Sequence, residues 1–156
     1  MKTRRRNSVR RGSSIIEFQL VAFLLMLVIF ASIEFDRMIL VYTTVANSAK
    51  VGVRYAIVHG GHRSGGSGAD GASGAADPSQ VRTVIKNFAS AGILNTALLD
   101  DAHVSVQYLD SSDPTTDPGN TIGSRVSVTV TYPYDPFVVI PLHVNLRSSA
   151  QGIIVY

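Results

Sequence analysis

Apolar and polar residues follow three rhythms along the chain, and each predicts a different element. From Phe18 to Ile33 sixteen consecutive residues are uncharged and mostly apolar, about 24 Å as a helix at 1.5 Å per residue. Adding Ser13 to Ile16 brings the segment close to the roughly 30 Å hydrocarbon core of a bilayer, with Glu17 inside it. Beyond the next charges, Met38, Tyr42, Val45, Ala49, Gly52 and Ala56 recur every three or four positions. That spacing predicts one buried stripe on a stem helix. Small residues at Ala49, Gly52 and Ala56 would allow close approach, while Lys50 and Arg54 fall on a solvated flank. No proline or capping signal interrupts residues 13–58, so a single helix of about 69 Å is expected.

The second half changes period. Residues 59–77 form a glycine-rich connector without large apolar side chains after His59. Asp77-Pro78 reads as an N-cap and first turn, opening a helix to Phe88–Ser90 with Val81, Val84, Ile85 and Phe88 on its apolar face. Strict alternation follows in AHVSVQYL and SRVSVTVTY, which predicts two half-buried strands. The valines at 104, 106, 126, 128 and 130 face inwards. YPYDPFVVIP, broken by prolines, is expected to lie outside any central strand. LHVNLRSSAQGIIVY supplies a third strand with Leu142, Val144 and Leu146 on one side. One antiparallel sheet covered on one face needs a partner layer, and the stem helix is available. The expected fold is α+β: a basic leader (1–12), a transmembrane and stem helix (13–58), the glycine-rich loop (59–77) and an α+β head (78–156).

Charge sharpens this division. Six of the fourteen Lys and Arg residues lie in the first eleven positions, leaving eight basic against eleven acidic residues over the rest. The basic character therefore belongs to the tail, which argues against a nucleic-acid-binding body and places the tail on the cytoplasmic side of a membrane. Without cysteine there is no disulfide framework, thiolate metal site or cysteine nucleophile. His59 and His62 form H-x-x-H without a third ligand of clear spacing, since Asp70 lies in the glycine-rich tract; surface histidines account for them better than a metal. Residues 65–73 loosely fit one calcium-binding nonapeptide, but a single copy cannot build the stacked turns that hold the ion. The same tract lacks the GK[ST] ending of a phosphate-binding loop. The three aspartates of DSSDPTTDPGN match no calcium-loop spacing. His103 and His143 are expected on the polar faces of strands. Asp100 and Asp101, being adjacent, point apart. No catalytic set emerges, and no enzyme or cofactor is expected.

Glu17 remains unexplained by any of this. A cleaved signal peptide would have a shorter apolar core and a small-x-small site, and a twin-arginine signal built on Arg10-Arg11 would also need that site. A plain signal anchor accounts for the arginines but leaves a carboxylate costing roughly 2.5–3.5 kcal/mol at a helix centre, less near its end.

The run RRGSSIIEF, a glycine, four residues, then Glu17 and Phe18, resembles the processing site of type IV prepilins in the form used by tight-adherence (Flp) pili. Residues 33–60, IEFDRMILVYTTVANSAKVGVRYAIVHG, are similar to the stretch after the membrane helix in TadE-like pseudopilins. Glu34, Phe35 and Arg37, Tyr42, Ala46 to Ala49, and Gly52 to Ala56 carry that likeness; Asp36 departs from it. The resemblance implies cleavage between Gly12 and Ser13 by a prepilin peptidase, in a chain inserted once in the bacterial inner membrane with its head outside the cytoplasm. It further implies that Glu17, with Phe18, docks onto the new Ser13 amine of a neighbouring subunit. Other pilin and pseudopilin subunits and the pilus assembly platform are the implied partners, besides the lipid bilayer. An uncleaved, membrane-anchored binding module is the alternative reading, and a small anchored hydrolase a more distant one.

Overall fold

One helix runs through the molecule and the rest packs on its upper half. A computed structural model describes residues 10–60, 78–92, 95–100, 102–109, 121–136 and 143–155. Helix α1 spans Arg10–Val58, 49 residues or about 74 Å. Its character changes along its length. From Ser14 to Leu40 no side chain is buried, whereas Val41, Val45, Ala49, Val53 and Ala56 are buried in the core. Ser48, buried among them, satisfies its hydroxyl within the helix by donating to the Thr44 carbonyl at 2.8 Å.

Helix α2, Ser79–Ser90, packs beside α1 and reaches the sheet. Its buried residues are Val81, Ile85 and Ala89, a strict spacing of four. That stripe leaves Val84 half-buried and Phe88 38% exposed, so Phe88 belongs to the flank rather than the buried face. Pro78 stands at the cap position without a side-chain cap bond, and its carbonyl accepts from Arg82 N–H at 3.1 Å. A proline there has no N–H to leave unsatisfied. The Asp77 cap expected from the sequence lies outside the described residues.

Three strands follow, β1 (Val104–Tyr108), β2 (Arg125–Tyr134) and β3 (Val144–Ile153). They form one antiparallel sheet in the order β1-β2-β3. Val104 sits opposite Val130 and Val106 opposite Val128, and Val128 in turn opposite Ala150. Val104, Val126, Val128 and Val130 are fully buried. Alternation places them on one face, and α1 covers that face over β2 and β3. The opposite face carries Ser105, Gln107, Ser127, Thr129, Arg147, Ser149 and Gln151. There Thr129 Oγ1 donates to Ser149 Oγ at 3.2 Å. The result is two layers, helices on one side of an α+β sandwich and a polar sheet face on the other.

The proline rule needs a correction here. Tyr132, Pro133 and Tyr134 do continue the central strand, with Pro133 opposite Asn145. Thr131 N–H donates to the His103 carbonyl before β1 at 2.8 Å, so two residues later the proline nitrogen points to the same side. By then β1 has ended. No ladder bond is lost. On β3, Leu146 is half-buried and Val144 38% exposed, while Leu142 lies outside the described residues.

Candidate functional site

The Gly12–Ser13 bond lies in the first turn of α1. One turn further, Glu17 is exposed and Phe18 is 75% exposed. Among the described residues Glu17 makes no ion pair or hydrogen bond. From Ile15 to Ile33 the large apolar side chains are 44% to 75% exposed, although water would penalise that surface. α1 is long and apolar enough to cross a membrane, and among the described residues none covers its most apolar window.

Higher up, the stem residues divide. Val45, Ala49, Gly52 and Ala56 are buried, and Met38 is half-buried against the core. Tyr42 is 48% exposed, and Val41, 4% exposed, takes its level in the core. Four residues before Val45 is about 40° from it around the helix and three residues about 60°, so Val41 lies nearer the buried line. Gly52 supports the closest approach: an added Cβ would come within 2.6 Å of Ile85 Cδ1. Lys50 and Arg54 are exposed.

Between the uncovered and covered parts of α1 sits a polar junction. Tyr134, at the end of β2, donates its phenol to the Glu34 carboxylate. Arg37 lies 3.3 Å from the same carboxylate, one turn along, and its guanidinium stands 5.3 Å from the Tyr134 ring centroid. Removal from water, and then the bond to Glu34, push the Tyr134 phenol up to about 12. Here a hundred residues of sequence separation close into one contact, and the head is tied to the helix where the apolar segment ends. The acid and arginine are visible in the sequence, but nothing local to Tyr134 marks it as their partner.

The histidines sit differently from expectation. Both precede their strands rather than lying on them: His103 sits in the turn before β1, and His143 immediately before β3. His103 and Asp100 approach to 2.5 Å, and Asp100 also accepts from the Ala102 and His103 backbone N–H groups. The His103 side-chain bond, ahead of its other contacts, holds the Asp100 carboxyl below its ordinary range. His143 pairs with Asp135 at 2.5 Å. Asp101 and His62 fall outside the described residues, and among the described residues no group of three acids or histidines could hold a metal ion. At the top of α1, His59 stacks on Tyr55 at 4.0 Å and bonds its carbonyl.

The uncovered helix and the junction above it coincide with what comparison finds. Residues 12–54 match the family model described as TadE-like protein. The match starts at Gly12, covers the apolar segment and the Glu34–Arg37 junction, and stops before the head. Neither the curated proteins nor the solved structures yield a match. Over the lower and middle parts of α1, then, this chain is similar to the TadE-like proteins.

Proposed function

We propose that this chain is a minor pseudopilin of a tight-adherence pilus, taking part in its initiation or assembly after a prepilin peptidase removes residues 1–12. The observation that carries this reading is the coincidence at one helix end. The family match begins at the glycine before the proposed cut, and Glu17 stands one turn beyond it, exposed and unpaired among the described residues. Cleavage needs the first turn unwound into an extended strand. That turn lacks intrahelical acceptors for its N–H groups, and Gly12 lowers the cost of leaving the helix. The basic residues before it hold the bond at the cytoplasmic membrane surface, and the head faces the periplasm.

Cutting creates a positive amine on Ser13. In the low dielectric of packed helices, that amine on one subunit and the Glu17 carboxylate on another attract strongly, and removing either strands the other charge. Phe18 packs beside the pair. The neighbours are other pilin and pseudopilin subunits on the assembly platform. The reading involves no catalytic step in this chain.

The test is the mass of the membrane-extracted N-terminus in cells that carry the peptidase. It should begin at Ser13; an intact leader on the mature protein overturns the reading. Gly12→Ala should reduce cleavage on the order of tenfold while insertion persists. Glu17→Ala should leave cleavage intact and lower recovery of sheared pili on the order of tenfold or more.

A further inference from the structure

Each edge of a sheet exposes alternate backbone N–H and C=O groups that have no ladder partner. The two edges here are unequal. β1 has five residues and β3 has ten, and β3 keeps an unbroken register with β2 from Val144 to Ile153. Parity settles which groups face outwards. Thr131 N–H bonds the β1 side, while Ile154 N–H donates to the Ser124 carbonyl at 2.9 Å. Odd residues of β2 therefore bond β1, and even residues bond β3. On β3 the even residues turn their backbone groups to β2. Asn145, Arg147, Ser149, Gln151 and Ile153 turn theirs to the open edge.

All five are exposed, and among the described residues none of them has an outward backbone bond. Among the described residues the edge closes only beyond its far end, where Val155 N–H donates to the Ile57 carbonyl at 3.0 Å. Proteins usually blunt such an edge with proline, lysine, a bulge or shortness. β3 has none of these, and its one charge is Arg147.

Direction selects the occupant. Val144 pairs with Tyr134, which is tied to Glu34 at the end of the apolar segment, while Val155 meets Ile57 near the top of α1. β3 thus runs away from the membrane end of α1. β1 runs the same way, since both are antiparallel to β2. A second copy anchored in the same membrane stands the same way up and, among the described residues, offers only edges of that sense. It could add only in parallel, which is less stable per residue and less common.

The geometry points to β3 as a strand-addition site for a different subunit, whose edge strand runs towards the membrane and joins β3 antiparallel as a fourth strand. Ile153, 59% exposed at the end of β3, asks for an apolar residue at the start of that strand. Ser149, Gln151 and Asn145 ask for uncharged polar ones after it. The inference needs α1 as the membrane anchor but not the leader cleavage proposed above.

The test uses the full-length chain in cells that make the pilus, with a photo-crosslinking amino acid at Gln151 or, separately, at Arg147. Each should give an adduct with one other membrane-anchored subunit. The residue captured from position 151 should precede, in that partner's sequence, the residue captured from 147. Ser149→Pro removes an outward N–H, along with the hydroxyl that accepts from Thr129 on the polar face, and should cut both yields on the order of tenfold, with the protein accumulating normally. An adduct between two copies of this chain, the reverse order of captured residues, yields indifferent to a well-accumulated Ser149→Pro, or no adduct at either position would overturn the proposal. Capture order stands as a test even if the proline variant fails to accumulate. The N-terminal mass read on the same sample reports separately on leader cleavage.

Discussion

At the residue scale, Gly52 shows how a missing side chain sets the distance between two helices. A Cβ at this position would lie 2.6 and 2.7 Å from Ile85 Cδ1 and Cγ1 and 3.3 Å from Val128 Cγ1. Ile85 is fully buried. Alanine gains about 1 kcal/mol in helix propensity, but overpacking a filled core costs about 1–3 kcal/mol. Gly52→Ala is therefore expected to lower stability by about 1 kcal/mol, read as a lower denaturation midpoint by near-UV circular dichroism in detergent. An unchanged or raised midpoint would mean that α2 docks less tightly than this. Tyr134 adds a dependence on pH. Its folded phenol ionises near 12 against about 10 in an unfolded chain. The neutral form is thus favoured by folding, so its contribution is complete below pH 10 and declines as the pH rises from 10 to 12. Tyr108, also pushed up to about 12 by burial, adds to the same decline. In Tyr134→Phe the alkaline loss should be shallower but still present, and stability at pH 7 should fall by about 1–2 kcal/mol with the bond to Glu34 gone. An unaltered alkaline slope would show that Tyr134 is not held out of water in solution.

At the element scale, legibility tracked how local the cause was. The long helix, α2 and the alternating strands follow from periodicity, which is written into neighbouring residues. What the sequence left ambiguous was decided across the fold. Pro133 looks like a strand breaker until its nitrogen is seen to point past the end of β1. Tyr42 and Val41 compete for the same level of the core, and a small rotation of α1 under the sheet favours Val41. The partner of the Glu34–Arg37 pair could not be read either, because Tyr134 arrives from a hundred positions away. Thr131→Pro puts the same ring two residues earlier, where the N–H is bonded to the His103 carbonyl. Losing that bond and leaving the carbonyl unpaired should cost about 1–3 kcal/mol, whereas Pro133→Thr should change stability by less than about 1 kcal/mol. Equal effects at both positions would mean that β1 extends further along β2 than Val104.

At the scale of the whole molecule, one helix carries two kinds of surface. Its lower half offers apolar surface that none of the other described residues covers, and its upper half is a wall of the head's core. The boundary falls between Glu34, where Tyr134 and Arg37 meet, and Val41, the first buried side chain among the described residues. Because no side chain from Ser14 to Ile33 is buried in the head, that segment adds little to the head's own stability. A chain reduced to residues 34–156 should therefore remain folded in water, with a cooperative thermal transition and near-UV signals like those of the full-length protein. Shortening further, to residues 45–156, removes Val41 together with the Glu34–Tyr134 bond. Loss of one buried aliphatic side chain and one charged hydrogen bond should then cost about 3–5 kcal/mol, enough to unfold many domains of this size. Should residues 34–156 bind hydrophobic dyes and melt without a transition, the head would depend on lipid or on a neighbouring subunit. The junction at Glu34 would then be a consequence of membrane insertion rather than a property of the fold.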